Sequence, residues 1–520
     1  MTPKTKAWEE YEAGLDHKRR IGLYSTIREN ERFYRGDQWY GSATEDLPKP
    51  VFNIIRRITD YLICSIASSE ISIRYIAETL PFLTRSADAT TLRLCLDGIN
   101  KNVSHRWEKN RMPKKIYDAL SDAATSGDGA FFCYWDADIN GPQEYKGDIA
   151  TEVIDSVNIF PADVNRRDIQ SQEYIILSGR QSVIKLREEA RNAGVSEEDI
   201  GRIVADGAQA LGAGAMSDYE LGGSGAEKAT YIIKFWREKG CVVFEKSTRE
   251  CVIRRVYTDC KLYPIAFFNW HTAKNSFHGI APISALIPNQ KYLNRAYAMA
   301  MKHMTDTAFS KVVYDKSRIP EWSNGVGEAI AVVGGGDVSD AVSVVGVGEM
   351  QPNYLTLISS IIEQTKELSG ATEAALGDEQ AQNTSAILAL QEVSKVSLGQ
   401  IRSSFYQCIE DLANIWADMM CAYYPENRLL TGEKNGEPEC YPVSFSLLKD
   451  AIISARVDVS EVNRYSASST QNTLDKLLEG GHITPLEYVR RLPSGLIGAR
   501  EELIELLEKK ENAKGSTENE

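Results

Sequence analysis

The chain has 520 residues, 43% apolar and 25% charged, which is typical of folded globular proteins and excludes wholesale disorder. Its 73 acidic and 59 basic residues leave a net charge of −14, which argues against tight binding of DNA through a basic face. No stretch has the roughly 18 to 20 apolar residues of a membrane span, and the charged N-terminus lacks a secretory-signal pattern. Nine scattered cysteines without a CxxC pair predict reduced thiols.

The N-terminal part of the chain has both helix and strand signals. Residues 18–35 have a charged helical pattern that ends at Gly36. Asn53 is placed to cap a helix whose apolar residues, from Ile54 onward, recur at helical spacing. Residues 71–77 are predicted to form a strand.

The following stretch completes a first α+β region. Helical sequence over 92–124, split near Pro113, leads through the Ser126–Gly129 turn into an aromatic strand. The later signals are mostly strands with a helical insert at 181–212. The Gly- and Ser-rich segment 212–225 is expected to be a mobile loop.

The second half begins with a one-sided helix and a low-complexity segment. From Lys291 the apolar residues fall on one helix face, and Pro288 and Asn289 precede them. Within 329–350, two short Val-rich runs flank a Gly/Asp turn, which predicts a β-hairpin. An isolated hairpin is marginal in water, so its edges are expected to pair with another copy of the chain.

Two helices and a polar segment come next. One helix starts near Asn353 and ends at Ser369-Gly370, and the polar residues 371–383 are predicted to form a loop. The apolar residues of 384–423 recur at three- and four-residue steps, which predicts a helix longer than most globular proteins contain.

The C-terminal part predicts short strands followed by helices. The strands are expected at 443–445 and 455–459. Thr484-Pro485-Leu486-Glu487 is a capping box with proline at the first helical position, so a helix should begin there. The last ten or so residues are expected to form a solvated tail.

Several patterns that could suggest catalysis or cofactor binding are weak. The glycines of 325–348 do not form GxxxxGK[ST], so a nucleotide site is not expected. His271 and His278 have no matching cysteine or carboxylate pattern, which favours structural roles over metal binding. No serine, cysteine or carboxylate is framed as a nucleophile. The sequence therefore predicts no enzyme activity, no metal and no cofactor.

The order of these features resembles the portal proteins of tailed bacteriophages. No one motif is specific, but their order is, together with the succession of helix, hairpin, helix, polar loop and long helix. The motifs that carry the resemblance are Arg35-Gly36-Asp37-Gln38-Trp39, Ser126-Gly127-Asp128-Gly129, Tyr134-Trp135-Asp136, Asn158-Ile159-Phe160-Pro161, Tyr263-Pro264, Phe268-Asn269-Trp270, His278-Gly279, Asn289-Gln290, Asn294, Leu376-Gly377 and Thr384-Ser385.

The resemblance implies an α+β portal fold with an α+β wing, long stem helices, a small α/β clip, a tunnel loop and a helical crown. Known portals are rings, usually of twelve subunits. The implied ranges are 1–279 and 424–464 for the wing, 280–305 and 353–370 for the stem helices, 306–352 for the clip, 371–384 for the tunnel loop, 385–423 for the long wing helix, and 465–520 for the helical crown and disordered tail.

The expected tunnel loop has the chemistry of a surface that lets DNA slide. Each phosphate contact made by Lys or Arg adds affinity that a moving duplex must break at every step. From Asn353 to Tyr423 there are nine acidic and three basic residues, a net charge of −6, and the loop has no Lys or Arg. The residues expected to face DNA are Glu373, Asp378, Glu379, Gln380, Gln382 and Asn383.

The expected clip is acidic, with no Lys or Arg from 319 to 352. This pattern predicts a negative rim that docks basic partners. Its residues are Glu321, Glu328, Asp337, Asp340 and Glu349. The implied partners are the terminase large subunit, then the head-tail adaptor, besides other copies of the chain, the major capsid and scaffold proteins, and weakly bound double-stranded DNA, but no membrane.

Alternatives remain open. A DNA-processing enzyme with a channel would need clustered carboxylates or histidines at metal spacing, and another virion connector would lack the helix, clip, helix, loop order. The basic run around Trp107, from Lys101 to Lys115, is either a DNA-facing patch or a helical face that pairs with acidic groups. The expected location is the portal vertex of the virion, reached from the host cytoplasm during assembly.

Overall fold

The computed structural model shows an α+β protein, as the sequence predicts. None of its described helices is long and apolar enough to cross a membrane. The residues that the structure describes are 5–41, 46–68, 70–78, 87–139, 145–206, 227–307, 311–323, 325, 330–345, 352–371, 398–426, 428–434, 437–451, 453–460, 464–492, 503–504 and 506–507.

Thirteen helices are present within the described residues. They are α1 (Lys6–Arg20), α2 (Leu23–Arg35), α3 (Ile54–Ala67), α4 (Ala87–Lys109), α5 (Met112–Ser126), α6 (Val183–Asn192), α7 (Glu197–Gly201), α8 (Pro282–Thr307), α9 (Pro352–Leu368), α10 (Gly399–Tyr423), α11 (Phe445–Asp450), α12 (Arg464–Glu479) and α13 (Pro485–Arg491).

The described strands pair antiparallel in five sheets. The five-stranded sheet has the order β4 (Ile159–Pro161), β5 (Tyr174–Ser182), β6 (Lys228–Glu238), β7 (Cys241–Ser247), β8 (Val252–Tyr257). The three-stranded sheet has the order β3 (Asp148–Val153), β2 (Asp128–Asp136), β9 (Ile265–Asn269). The two-stranded sheets pair β1 (Glu70–Ala77) with β14 (Ile453–Ser460), β10 (Lys311–Tyr314) with β11 (Val342–Val345), and β12 (Leu429–Lys434) with β13 (Glu437–Pro442).

The chain divides into two units. Unit 1 contains residues 1–28, 62–282 and 398–520, and unit 2 contains 29–61 and 283–397. In unit 1, Trp8, Tyr11 and Leu15 recur at helical spacing on α1 and pack against Phe160 and neighbouring apolar residues of the five-stranded sheet. The same unit buries the apolar stripe of α10, including Trp416, whose indole N–H donates to Thr151 Oγ1 at 2.9 Å.

Unit 2 has a smaller core between its two long helices. Leu293 and Ala296 of α8 pack against Ile358 of α9. The Tyr354 hydroxyl donates to the Ala296 carbonyl at 2.9 Å, which adds a polar link between the same helices. The short sheet of β10 and β11 belongs to the segment that connects α8 to α9.

Several local predictions are confirmed. α2 ends before Gly36, which has a φ of +97°. The Asn53 side chain accepts from the Arg56 N–H at 3.1 Å where α3 begins. Thr484 and Glu487 form the predicted capping box of α13.

The predicted hairpin within 329–350 is wrong. The second Val-rich run does form β11, but its partner is β10, with Val312 opposite Val344. The run before the Gly/Asp turn makes no strand in its described residues. Lys311–Tyr314 is itself rich in strand-forming residues, and a 27-residue connection brings it beside β11.

Two further boundaries differ from the predictions. α8 begins at Pro282 and contains Pro288, which the sequence pattern places before the helix. Val443 follows β13, and Phe445 starts α11, so the strand predicted at 443–445 is absent there. The loop predicted at 212–225 lies outside the described residues.

Candidate functional site

The segment between α8 and α9 contains the acidic site residues that the structure describes. Glu321, Asp337 and Asp340 are all exposed. Glu328 and Glu349 lie outside the described residues. Three of the five predicted docking carboxylates are therefore open to solvent.

A packed turn supports this acidic segment. Ile319 is buried, and Tyr314 of β10 stacks on Trp322 with ring centroids 5.2 Å apart. The Val333 N–H donates to the Arg318 carbonyl at 2.7 Å. These contacts hold the long connection between β10 and β11 against the sheet.

The pairing of β10 with β11 also places cations close to the acidic residues. Arg318 donates through Nη2 to the Asp337 carbonyl at 3.1 Å, and Lys316 is exposed two residues away. The surface is therefore less uniformly negative than the composition of 319–352 indicates.

Asp337 has a local structural role besides its exposed charge. Its side chain accepts from the Ser339 N–H at 3.2 Å and caps a short 3-10 turn. Asp340 lies within that turn. A substitution at Asp337 would thus change both the charge and the backbone, whereas Glu321 carries no comparable cap.

The predicted tunnel loop follows the end of α9 in the sequence. Glu373, Asp378, Glu379, Gln380, Gln382 and Asn383 lie outside the described residues. The described chain ends α9 at Leu368, turns at Gly370 with a φ of +75°, and resumes before α10.

Unit 2 exposes several large apolar side chains on its helices and short sheet. Soluble monomers rarely leave large contiguous apolar patches in water. The exposed residues are Tyr292, Met299 and Met304 on α8, Leu355, Leu357 and Leu368 on or at the end of α9, and Val312, Val313 and Val344 on the sheet.

A buried amide cluster, formed by Gln38, Gln290 and Asn294, joins separate segments of unit 2. The Gln290 side chain accepts from the Ile54 N–H at 3.1 Å and donates to the Phe52 carbonyl at 2.8 Å. It also donates to Asn294, which donates to Gln38 at 2.7 Å. Gln290 therefore caps the start of α3 from α8, and the cluster contains residues from three of the motifs on which the family resemblance rests.

Asp128 is the centre of a second buried cluster, in unit 1. Its Oδ1 accepts from the Asn269 amide and from the Gly279 N–H, each at 2.7 Å. Its Oδ2 lies 2.7 Å from His278 Nδ1. The sequence assigns His278 a structural role, and this hydrogen bond is consistent with that role. Burial lowers the pKa of His278, while the bond to Asp128 opposes the shift.

Two glycines meet beside Asp128. A Cβ added to Gly127 would lie 2.7 Å from the Gly279 oxygen, and one added to Gly279 would lie 2.7 Å from the Gly127 oxygen. Gly127 also has a φ of +95°. The close backbone approach explains why glycine occupies both positions.

Lys18 contacts the segment that contains the motif Asn158-Ile159-Phe160-Pro161. Its ammonium group is buried and donates to the carbonyls of Ser156, Val157 and Ile159, at 3.3, 2.7 and 2.6 Å. It also lies 3.9 Å from the centre of the Phe160 ring. α1 is thereby fixed to the turn that leads into β4.

Most basic residues around Trp107 form ion pairs or hydrogen bonds with other residues of the same chain. The contacts are Lys101 with Asp97, Arg106 and Lys109 with Asp148, and Lys115 with the Thr151 carbonyl. The structure therefore favours the pairing interpretation for these residues over an open DNA-facing patch.

The comparisons with known proteins come from a family model and from solved structures. Residues 255–473 match the family model described as phage P22-like portal protein. No curated protein matches the chain. One solved structure, titled "Virion of native gene transfer agent (GTA) particle", is similar at 9% identity and a TM-score of 0.38, over 90% of this chain and 92% of that chain. The segment 255–473, which contains α8, the β10–β11 sheet, α9 and α10, is therefore similar to a phage P22-like portal protein domain.

Proposed function

We propose that the chain is one subunit of a homo-oligomeric ring at one capsid vertex, through which DNA is packaged and later ejected. The family match over 255–473 carries this proposal, because that segment contains α8, α9 and everything between them. The ring has no catalytic role of its own in this proposal, and a separate terminase motor supplies the energy.

The exposed apolar residues of unit 2 support assembly with further copies. The β10–β11 sheet has four residues in each strand and exposes valines, and two-stranded sheets are marginal in water. Burial of such surface against a neighbour would stabilise both the sheet and the assembly. We therefore assign the exposed faces of α8, α9 and this sheet to contacts between subunits.

α8 and α9 are the stem helices in this proposal, and the segment 371–384 is the tunnel loop. Glu373, Asp378, Glu379, Gln380, Gln382 and Asn383 would line the channel. The chemistry of these residues supports this role. Acidic side chains repel phosphate and polar side chains hold it only transiently, so a duplex is not trapped.

The acidic segment between β10 and β11 is the proposed docking site for the terminase large subunit and then for the head-tail adaptor. The exposure of Glu321 and Asp340 supports this role. The double variant Glu321→Lys and Asp340→Lys should weaken terminase binding and leave ring formation intact. Asp337 is left unchanged because it caps a turn.

Electron microscopy of the purified protein tests the central proposal. Rings with a central hole and a fixed subunit number, twelve in most known portals, are expected. A uniformly monomeric protein at micromolar concentration, with or without a scaffold protein, would contradict it. For docking, unchanged terminase affinity of the double variant would remove the acidic segment from the contact.

A further inference from the structure

A small polar pocket in unit 1 lies between α4, the end of α10 and β12. Its volume is about 90 Å³, and its lining includes His105, Arg106, Lys109, Asp148 and Arg428. A pocket of this size holds roughly a few water molecules or one small anion.

The positive charges in this pocket outnumber the negative ones. Arg106, Lys109 and Arg428 all approach Asp148, with the two guanidinium groups each 3.6 Å from its Oδ1. Tyr424 also donates to Asp148, and burial raises the pKa of its hydroxyl, which therefore stays neutral. Among the described lining residues Asp148 is the one acidic side chain, so three cations share one carboxylate.

The excess charge cannot be relieved by loss of a proton from arginine, which stays charged in proteins. The side chains of Arg106 and Arg428 are only 7% and 14% exposed. The Arg106 Nε is buried without a hydrogen-bond partner among the described residues. A buried cation without a full counter-charge is unfavourable, and a bound anion would remove that cost.

We propose that this pocket binds a phosphate group. Guanidinium groups match the geometry of phosphate oxygens and bind them through charge-assisted hydrogen bonds. A phosphate with one ester bond or none has a charge near −2 at neutral pH, which equals the local deficit, whereas a carboxylate would supply only half of it. Lys109, at 43% exposure, lies at the solvent side, where a ligand can enter. This proposal does not rest on the ring or on the DNA channel.

Titration calorimetry with inorganic phosphate, at constant ionic strength with chloride, tests the pocket in the full-length protein. Lys109→Gln should weaken phosphate binding about fivefold, as expected for a half-exposed cation. Arg428→Gln should weaken it about tenfold or more. Lys449→Gln is the matched control: Lys449 pairs with Asp259 in the same unit and is 44% exposed, and its loss should leave phosphate affinity unchanged.

Asp148→Asn distinguishes a ligand site from a purely internal ion-pair cluster. Removing the competing carboxylate should tighten phosphate binding, and phosphate should raise the unfolding temperature of this variant more than that of the wild type. An internal cluster predicts destabilisation of the variant without any specific response to phosphate.

A DNA duplex identifies the source of the phosphate group. The backbone phosphates of a duplex are diesters with one charge each, so inorganic phosphate should bind and the duplex should not. Binding of the duplex that Lys109→Gln weakens would contradict the match between a doubly charged phosphate and the pocket. The proposal is overturned if neither ligand binds beyond the effect of equal chloride, or if Lys449→Gln weakens phosphate binding as much as Lys109→Gln.

Discussion

Asp128 joins three segments of unit 1 through one carboxylate. Its carboxylate oxygens form hydrogen bonds with the Asn269 side-chain amide, the Gly279 backbone N–H and the His278 ring nitrogen Nδ1, each at 2.7 Å. Because the group is fully buried, water cannot replace any acceptor that is lost. The residue is therefore expected to matter for stability, although it belongs to unit 1 and the proposed docking residues belong to unit 2.

Replacing Asp128 should destabilise unit 1 in a graded way. Asp128→Ala removes every acceptor and should lower the free energy of unfolding by about 3–5 kcal/mol. Asp128→Asn should cost less, because its oxygen still accepts and its amide can donate to a neutral His278. Urea unfolding followed by tryptophan fluorescence measures both variants.

Asp259→Ala is the control for these variants. Asp259 is 67% exposed and pairs with Lys449 at the surface, so its loss should cost about 0.5 kcal/mol or less. Equal losses for Asp128→Ala and Asp128→Asn would contradict the graded expectation, because asparagine keeps the volume of the side chain and one acceptor oxygen.

His278 predicts a dependence of stability on pH. Burial lowers its pKa in the folded protein below the ordinary 6.5, so the unfolded chain takes up a proton first as the pH falls. The folded state should thus lose stability as the pH decreases through 6.5. His278→Gln lacks this titration, and its stability relative to the wild type should increase between about pH 7.5 and pH 5.5. A constant difference over that range would contradict the assignment.

At the level of elements, local rules predicted helix starts better than strand partners. Asn53 and the Thr484 box depend on contacts three residues apart, so the local sequence determines them. The partner of β11 depends on a segment 27 residues away, and several Val-rich runs compete for it. The amide cluster could not be predicted for the same reason, because Gln38 is distant in sequence from Gln290 and Asn294.

The role of Asp337 shows a similar limit in the candidate site. Composition identifies it as one of five acidic residues. Its cap of the following turn depends instead on the local pattern Asp337-Val338-Ser339, which composition does not reveal. The pocket proposed to bind phosphate was not predicted either, because Arg106 and Arg428 come from distant segments of the sequence. The sequence shows the basic residues around Trp107, but it does not show that Arg106 and Lys109 both pair with Asp148.

The amide cluster predicts a specific weakness at the start of α3. Gln290→Ala removes the acceptor for the Ile54 N–H and the donor for the Phe52 carbonyl. Because these groups are partly buried, we expect a loss of about 2–3 kcal/mol, measured by thermal unfolding and converted to free energy. Lys291→Gln, the adjacent surface change in α8, should cost about 0.5 kcal/mol or less because its ion pair with Glu29 is half exposed. Similar losses for both variants would assign the effect to α8 itself.

For the whole molecule, net charge should control assembly. Each subunit has a charge of −14, so copies that approach one another repel. Salt shortens the screening length from about 30 Å at 0.01 M to about 10 Å at 0.1 M. The fraction of the chain in the proposed ring, measured by mass photometry, should therefore increase over this range of salt. Rings that dissociate on addition of salt would instead indicate contacts dominated by ion pairs between subunits.

The contact between Gly127 and Gly279 has a consequence for mutational surveys of this protein. Any side chain at either position would meet the other backbone at 2.7 Å, so nearly all substitutions should reduce the yield of folded protein. A selection for function in the proposed portal would then score both positions as intolerant, alongside the residues proposed to line the channel. Soluble expression, measured in parallel, should separate the two groups: variants of the proposed channel residues accumulate normally, and variants of this glycine pair do not.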